Sequence, residues 1–69
     1  MHHLDYIKKI NEKFLSYGFL ASPLTENEIL TLAWNGFTIN DIYGIGCDMY
    51  AAQFETLSEA ITYYKGEAA

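Results

Sequence analysis

The feature that most constrains the fold of this chain is a threonine followed three residues later by an acidic residue, a pattern that occurs three times. The pairs are Thr25 with Glu28, Thr38 with Asp41, and Thr56 with Glu59. A threonine at the N-cap of a helix accepts a hydrogen bond from the third helical amide, and an acidic side chain at that position bonds back to the cap. Each pair therefore predicts the start of a helix.

Apolar residues flank the first two starts in the positions of a hydrophobic staple. Leu24 and Ile29 flank the first, and Phe37 and Ile42 flank the second. A residue just before the N-cap packs against one four residues into the helix in this motif. The same periodicity predicts that the helix after Thr25 buries Ile29, Leu32 and Ala33, ends at Gly36, and leaves Leu30 and Trp34 partly exposed.

An amphipathic helix is predicted before these starts. Apolar residues recur at steps of three and four, with lysines and a glutamate on the other side. The apolar positions are Leu4, Ile7, Ile10, Phe14 and Tyr17. Gly18 is expected to end the helix in a left-handed conformation, and Phe19 and Leu20 to supply the apolar contact that accompanies such a stop.

The segment from Phe37 to Phe54 leaves two structures open. Its apolar residues keep helical spacing, but Gly44 and Gly46 each cost about 1 kcal/mol relative to alanine inside a helix. Either the glycines allow another helix to approach closely, or the segment is a β-hairpin that turns near Gly46-Cys47-Asp48. We favour the helix, because its start is specific and the alternative strands do not alternate cleanly.

The predicted fold class is all-α, a small bundle of about four short helices within one compact domain over residues 1–69. The helices are expected at 4–17, 26–35, 39–52 and 57–65. The alternative is an α+β fold with a hairpin in 37–54. Residues 1–3 and 67–69 are expected to be frayed.

Charge is distributed unevenly along the chain. The net charge is −5, and the only basic residues are Lys8, Lys9, Lys13 and Lys65. The basic-free stretch, residues 14–64, carries six acidic residues. Nucleic-acid binding requires clustered lysine and arginine to displace counterions from phosphates. We therefore expect no direct contact with nucleic acid and a protein partner with a basic surface.

No residue pattern in the chain indicates catalysis, a cofactor or a metal. The two histidines, His2 and His3, are adjacent at the chain end, where nothing orients them as a base or as ligands. Cys47 is followed by an acidic residue and is expected to be an inert thiol. Gly44-x-Gly46 lacks the other features of a phosphate-binding loop. We expect a binding protein and not an enzyme.

Location is predicted from two further observations. A single cysteine excludes an internal disulfide framework and indicates a reducing compartment. No window approaches the roughly 18 apolar residues of a membrane span, and no signal sequence is recognised. The expected location is cytoplasmic, without a membrane partner.

Aromatic residues provide the candidate contact points. Aromatics form 16% of the chain, which is more than so small a core hides completely. Exposed tyrosine and tryptophan are typical of protein interfaces, and two carboxylates lie outside the predicted first turns of helices. The candidate interaction residues are Trp34, Tyr43, Asp48, Tyr50, Glu55 and Tyr63. The alternative is that these rings close the edge of the core, with their hydroxyls in water.

The run Leu24-Thr25-Glu26-x-Glu28, followed by Leu32, Gly36, Thr38 and Ile42, resembles the helix-turn-helix region of response-regulator transcription factors. In that family Leu-Thr-x-x-Glu opens one helix and Gly-x-Ser/Thr leads into the next. The spacing to the glycine is shorter here, and residues 43–50 have none of the basic and polar residues of a recognition helix. We interpret the likeness as convergent helix capping.

The expected function is that of a small acidic protein-binding module, an inhibitor or adaptor of a basic protein such as one that handles nucleic acid. Its size and acidity resemble those of inhibitors carried by phages and mobile elements, including anti-CRISPR proteins. The alternatives are a homodimeric structural or regulatory module, and a degenerate helix-turn-helix that does not bind DNA.

Overall fold

Four helices make up the fold. A computed structural model describes residues 3–66, with α1 at His3–Ser16, α2 at Glu26–Trp34, α3 at Ile39–Tyr50 and α4 at Leu57–Gly66. The described residues contain no strand. The all-α prediction is therefore confirmed, and the hairpin in 37–54 is wrong. His3 opens α1, and the other residues predicted to be frayed, 1–2 and 67–69, lie outside the described residues.

Capping boxes start α2 and α3 as predicted. The Thr25 hydroxyl accepts a bond from the Glu28 amide at 3.2 Å, and the Thr25 amide donates to Oε1 of Glu28 at 2.8 Å. Thr38 and Asp41 form the same reciprocal pair, with distances of 3.2 and 3.3 Å. At α4 the Glu59 amide donates to the Thr56 hydroxyl at 3.2 Å. Each pair satisfies amides that have no partner within the first helical turn.

α1 and α2 both end in a Schellman motif at a glycine. Gly18 has φ +95°, the Phe19 amide donates to the Phe14 carbonyl, and the Gly18 amide donates to the Leu15 carbonyl. The pattern recurs at Gly36, where φ is +88°. Apolar contact accompanies the first stop, since the rings of Phe14 and Phe19 meet edge to face at 5.0 Å. The expectation that Leu20 shares this contact is wrong, because Leu20 is 99% exposed.

α3 ends two residues earlier than predicted and without a glycine. Ala52 takes φ +59°, and the next amide, of Gln53, donates to the Asp48 carbonyl at 2.9 Å. The left-handed conformation costs a non-glycine residue about 1–2 kcal/mol. The sequence carries no signal for this stop, because alanine otherwise favours a continued helix.

The core lies where α1, α2 and α3 meet, and α4 closes one side. Ten apolar residues are buried there: Ile10, Phe14, Leu24, Ile29, Leu32, Ala33, Phe37, Ile42, Ile45 and Ala60. The predicted burial of Ile29, Leu32 and Ala33 is confirmed. The ends of the predicted apolar stripe of α1, Leu4 and Tyr17, are instead mostly exposed.

Gly46 allows α1 to approach the backbone of α3. A Cβ atom built on Gly46 would overlap Cζ of Phe14 and lie 3.2 Å from Cδ1 of Leu24. Gly44 leaves room for a smaller group, since its Cβ would lie 3.0 Å from the Tyr64 hydroxyl. Close packing therefore explains both glycines inside this helix, as the helical interpretation requires.

We predict that Gly46→Ala lowers the free energy of unfolding by roughly 1–2 kcal/mol, because overpacking a buried site outweighs the gain in helix propensity. Gly44→Ala is the matched control. It should lower the free energy of unfolding less, because the tip of the Tyr64 side chain can shift. Urea unfolding followed by circular dichroism measures both. A Gly46→Ala protein as stable as the wild type would contradict the packing described.

Candidate functional site

The six residues predicted to contact a partner fall into three regions. Tyr43 and Tyr50 lie on α3 on the side that faces the end of α1. Asp48 and Tyr63 line a concavity between α3 and α4, and Glu55 lies exposed in the loop that joins them. Trp34, the last residue of α2, is 76% exposed and lines none of the concavities described below. The predicted residues thus do not form one site.

Among the described residues, four of the seven large apolar side chains that are exposed lie around the α1–α2 loop. We call this region the loop surface and define it by Leu15, Tyr17, Phe19, Leu20 and Tyr50. Leu20 and Tyr50 are 99% and 71% exposed. Leu20 separates two concavities of about 390 and 410 Å³, one bordered by Tyr17 and Tyr50 and the other by Leu15. An apolar side chain is thus presented between two recesses.

The loop is held at both ends, which explains why Leu20 points outward. The half-buried Phe19 ring contacts both Phe14 and Tyr50 edge to face, at 5.0 Å each. Farther along, Leu24 is buried, and the Ser22 hydroxyl bonds to its amide and carbonyl at 3.1 and 3.0 Å. Because Phe19 and Leu24 both turn inward, Leu20 between them remains in solvent.

Tyr43 packs between the core and the loop surface. Its ring lies 4.8 Å from that of Phe14 and 5.4 Å from that of Tyr17, and the Lys13 ammonium lies 5.0 Å from its centroid. Burial raises the pKa of Tyr43, and its hydrogen bond to Cys47 acts in the same direction. Half-buried among these neighbours, Tyr43 holds Tyr17 in place.

Within the described part of the chain, no charged residue borders the recess between Tyr17, Leu20 and Tyr50. Glu26 borders the second recess, on the far side of Leu20. The residues of the loop surface all belong to the basic-free stretch. The loop surface is therefore apolar at its centre, with a carboxylate on one rim.

The second region is the α3–α4 cleft, which we define by Asp48, Ala51, Gln53, Phe54 and Tyr63. Its volume is about 390 Å³. The rings of Phe54 and Tyr63 lie 5.4 Å apart and are inclined at 53° to each other. On their other side, Glu59 borders a further recess of about 340 Å³.

Asp48, which lies outside the predicted first turns of the helices, has a structural partner sixteen residues away in the chain. The Tyr64 hydroxyl donates to Oδ2 of Asp48 at 2.8 Å. Burial first, and this hydrogen bond second, raise the pKa of Tyr64 from 10.0 to about 12. The bond joins α4 to α3 and fixes the carboxylate at the edge of the cleft.

The described residues contain neither a metal-binding cluster nor a membrane-spanning helix. Among residues 3–66, no three or more histidine, cysteine or acidic side chains are grouped to hold a metal ion. Over the same range, no helix is both long and apolar enough to cross a membrane. Cys47 is a half-buried free thiol.

Comparison with known proteins returned no matching family model, curated protein or solved structure. The resemblance to response-regulator transcription factors therefore rests only on the capping residues named above.

Sequence reasoning missed the exposure of Leu20. The signal was present, because a Schellman stop uses one apolar residue directly after the glycine, and this chain has two. Phe19 takes the inward position. The second apolar residue, Leu20, has no place in the motif and was the better candidate for exposure.

We predict that the stability of the protein falls as the pH rises from about 10 to 12. The folded state raises the pKa of Tyr64, so folding retains a proton that the unfolded chain loses first. The stabilisation is fully present below the pKa that Tyr64 has in the unfolded chain. It is lost as the pH rises through the pKa that Tyr64 has in the folded protein, about 12. Urea unfolding at a series of pH values measures it.

Tyr64→Phe removes the hydroxyl that holds this proton. The free energy of unfolding of this variant should therefore fall less steeply between about pH 10 and 12. Tyr63→Phe also removes one phenol but leaves the bond between Tyr64 and Asp48 in place. Its free energy of unfolding should therefore fall with pH as steeply as that of the wild type. If the free energy of unfolding fell equally steeply with pH in Tyr64→Phe and the wild type, Tyr64 would not be the source of the pH dependence.

Proposed function

We propose that this protein is a small acidic protein-binding module that contacts its partner through the loop surface. The observation that carries the proposal is the 99% exposure of Leu20 between two recesses, in a loop held at both ends. Rigid apolar groups at a surface recognise a partner without a large ordering cost. Burying one leucine side chain contributes about 1.5–3 kcal/mol.

The aromatic rings beside Leu20 support the same function. Tyr17 and Tyr50 are mostly exposed, and each rests on a buried or half-buried ring. Tyrosine is enriched among the residues that dominate binding energy at interfaces. Contiguous apolar exposure on a small protein is typical of an interaction site.

The charge of the chain favours a partner with a basic surface. The net charge of −5 and the six carboxylates of the basic-free stretch attract such a partner over a distance and speed its association. An inhibitor or adaptor of a basic, nucleic-acid-handling protein, as phages and mobile elements carry, would combine long-range attraction with an apolar contact. The protein would act by occupying a surface and not by catalysis.

Self-association is the second candidate function. It is favoured because none of the described residues that line the recess between Tyr17, Leu20 and Tyr50 is charged, which lets two acidic copies meet there without direct repulsion. Sedimentation at high micromolar concentration tests it, and a monomer under those conditions would rule it out.

For the main proposal, we predict that the chain captures a basic protein from cell lysate and that Leu20→Ser weakens this capture about tenfold. High salt should reduce the recovery of that partner, because the attraction is partly electrostatic. Leu4→Ser is the matched control, since Leu4 is also exposed but lies at the opposite end of α1. Recovery that is equal for Leu20→Ser and the wild type would refute the proposal.

A further inference from the structure

The α3–α4 cleft combines two aromatic rings with a fixed carboxylate. The rings of Phe54 and Tyr63 are in contact, with their centroids 5.4 Å apart and their planes inclined at 53°, and Tyr63 is 52% exposed. Asp48 borders the same space and is held through Oδ2 by Tyr64. Among the described residues Oδ1 of Asp48 accepts no hydrogen bond. The cleft therefore offers ring faces and one carboxylate oxygen to a ligand.

Elsewhere in the chain, the protein places its own cations over aromatic rings. Lys13 lies over Tyr43 at 5.0 Å and bonds to Asn40, and Lys65 lies over Phe37 at 6.0 Å and bonds to Asn35. A cation over an aromatic face is attracted by the electrons of the ring. These two lysines are thus already engaged.

Among residues 3–66, no cation lies over the rings of the cleft. All five of its residues fall between positions 48 and 63, within the basic-free stretch. The remaining basic residues, Lys8 and Lys9, are exposed on α1. Because no cation of the described residues fills the cleft, a partner molecule can supply one.

We propose that the α3–α4 cleft binds an arginine side chain of the partner, an inference that rests on the proposed protein-binding function and adds a second contact to it. A planar guanidinium stacks on aromatic rings and bonds to a carboxylate through its N–H groups, whereas an ammonium is a compact, strongly hydrated charge. The volume of about 390 Å³ admits a side chain and not a folded element. The exposed ring of Tyr63 stacks on the guanidinium beside Phe54, and Asp48 accepts its hydrogen bond.

The test is a titration of the full chain with Nα-acetyl-arginine amide, followed by nuclear magnetic resonance of ring and amide protons. The expected result is saturable shifts at Phe54, Tyr63 and the amides of residues 51–54. The neutral isostere Nα-acetyl-citrulline amide should bind about tenfold more weakly, because it lacks the charge that the rings and carboxylate recognise. Equal binding of both compounds, or shifts as large at the loop surface, would overturn the proposal.

Two variants locate the binding. Asp48→Asn keeps an oxygen that accepts the Tyr64 hydroxyl, so the fold is retained, while arginine affinity should fall about fivefold or more. Tyr63→Leu should cause a similar loss by removing one ring. Tyr50→Leu, on the loop surface, is the control and should bind arginine as the wild type does. Unchanged affinity in both Asp48→Asn and Tyr63→Leu would refute the assignment.

The outcomes separate this inference from the proposed function. If arginine fails to bind while partner capture still depends on Leu20, only the cleft proposal fails. If arginine binds at the cleft but capture does not depend on Leu20, the loop surface is not the docking site. Both failures together would leave neither surface with a binding role.

Discussion

The contact between the Phe14 ring and the backbone of Gly46 determines how α1 lies on α3. Only a residue without a side chain fits there, because a Cβ on Gly46 would overlap the ring. Phe14 also takes part in the Schellman motif that ends α1. Its carbonyl accepts a hydrogen bond from the Phe19 amide, and its ring contacts the Phe19 ring. One buried residue thus links the core, the end of the first helix and the loop that follows.

The loop surface follows from that linkage. Phe19 is drawn inward onto Phe14, and its other edge meets Tyr50, which brings α3 into the surface. Leu24, the residue of the hydrophobic staple that precedes α2, is buried. Leu20 is left in solvent between two fixed points. A small protein that orders such a loop presents its apolar groups without losing chain freedom at the moment of binding.

Much of the fold could be predicted because its signals are local. The capping pairs lie three residues apart, and the glycines that end α1 and α2 are visible in the chain. The end of α3 could not be predicted, because Ala52 is an exposed alanine in a left-handed conformation, and alanine does not mark the end of a helix. The bond between Asp48 and Tyr64 spans sixteen residues, so sequence reasoning left Asp48 without a partner. The candidate contact residues lie in separate places on the surface, which no local pattern in the sequence indicates.

The most direct measurement of this account is the nuclear magnetic resonance spectrum of Gly46 in the free protein. With the Phe14 ring against its backbone, the Gly46 α-protons should be displaced by the ring current and show nuclear Overhauser contacts to the Phe14 ring protons. Unshifted α-protons without those contacts would mean that α1 does not lie on α3 as described. The arrangement of Phe19, Leu20 and Tyr50 would then lose its physical basis.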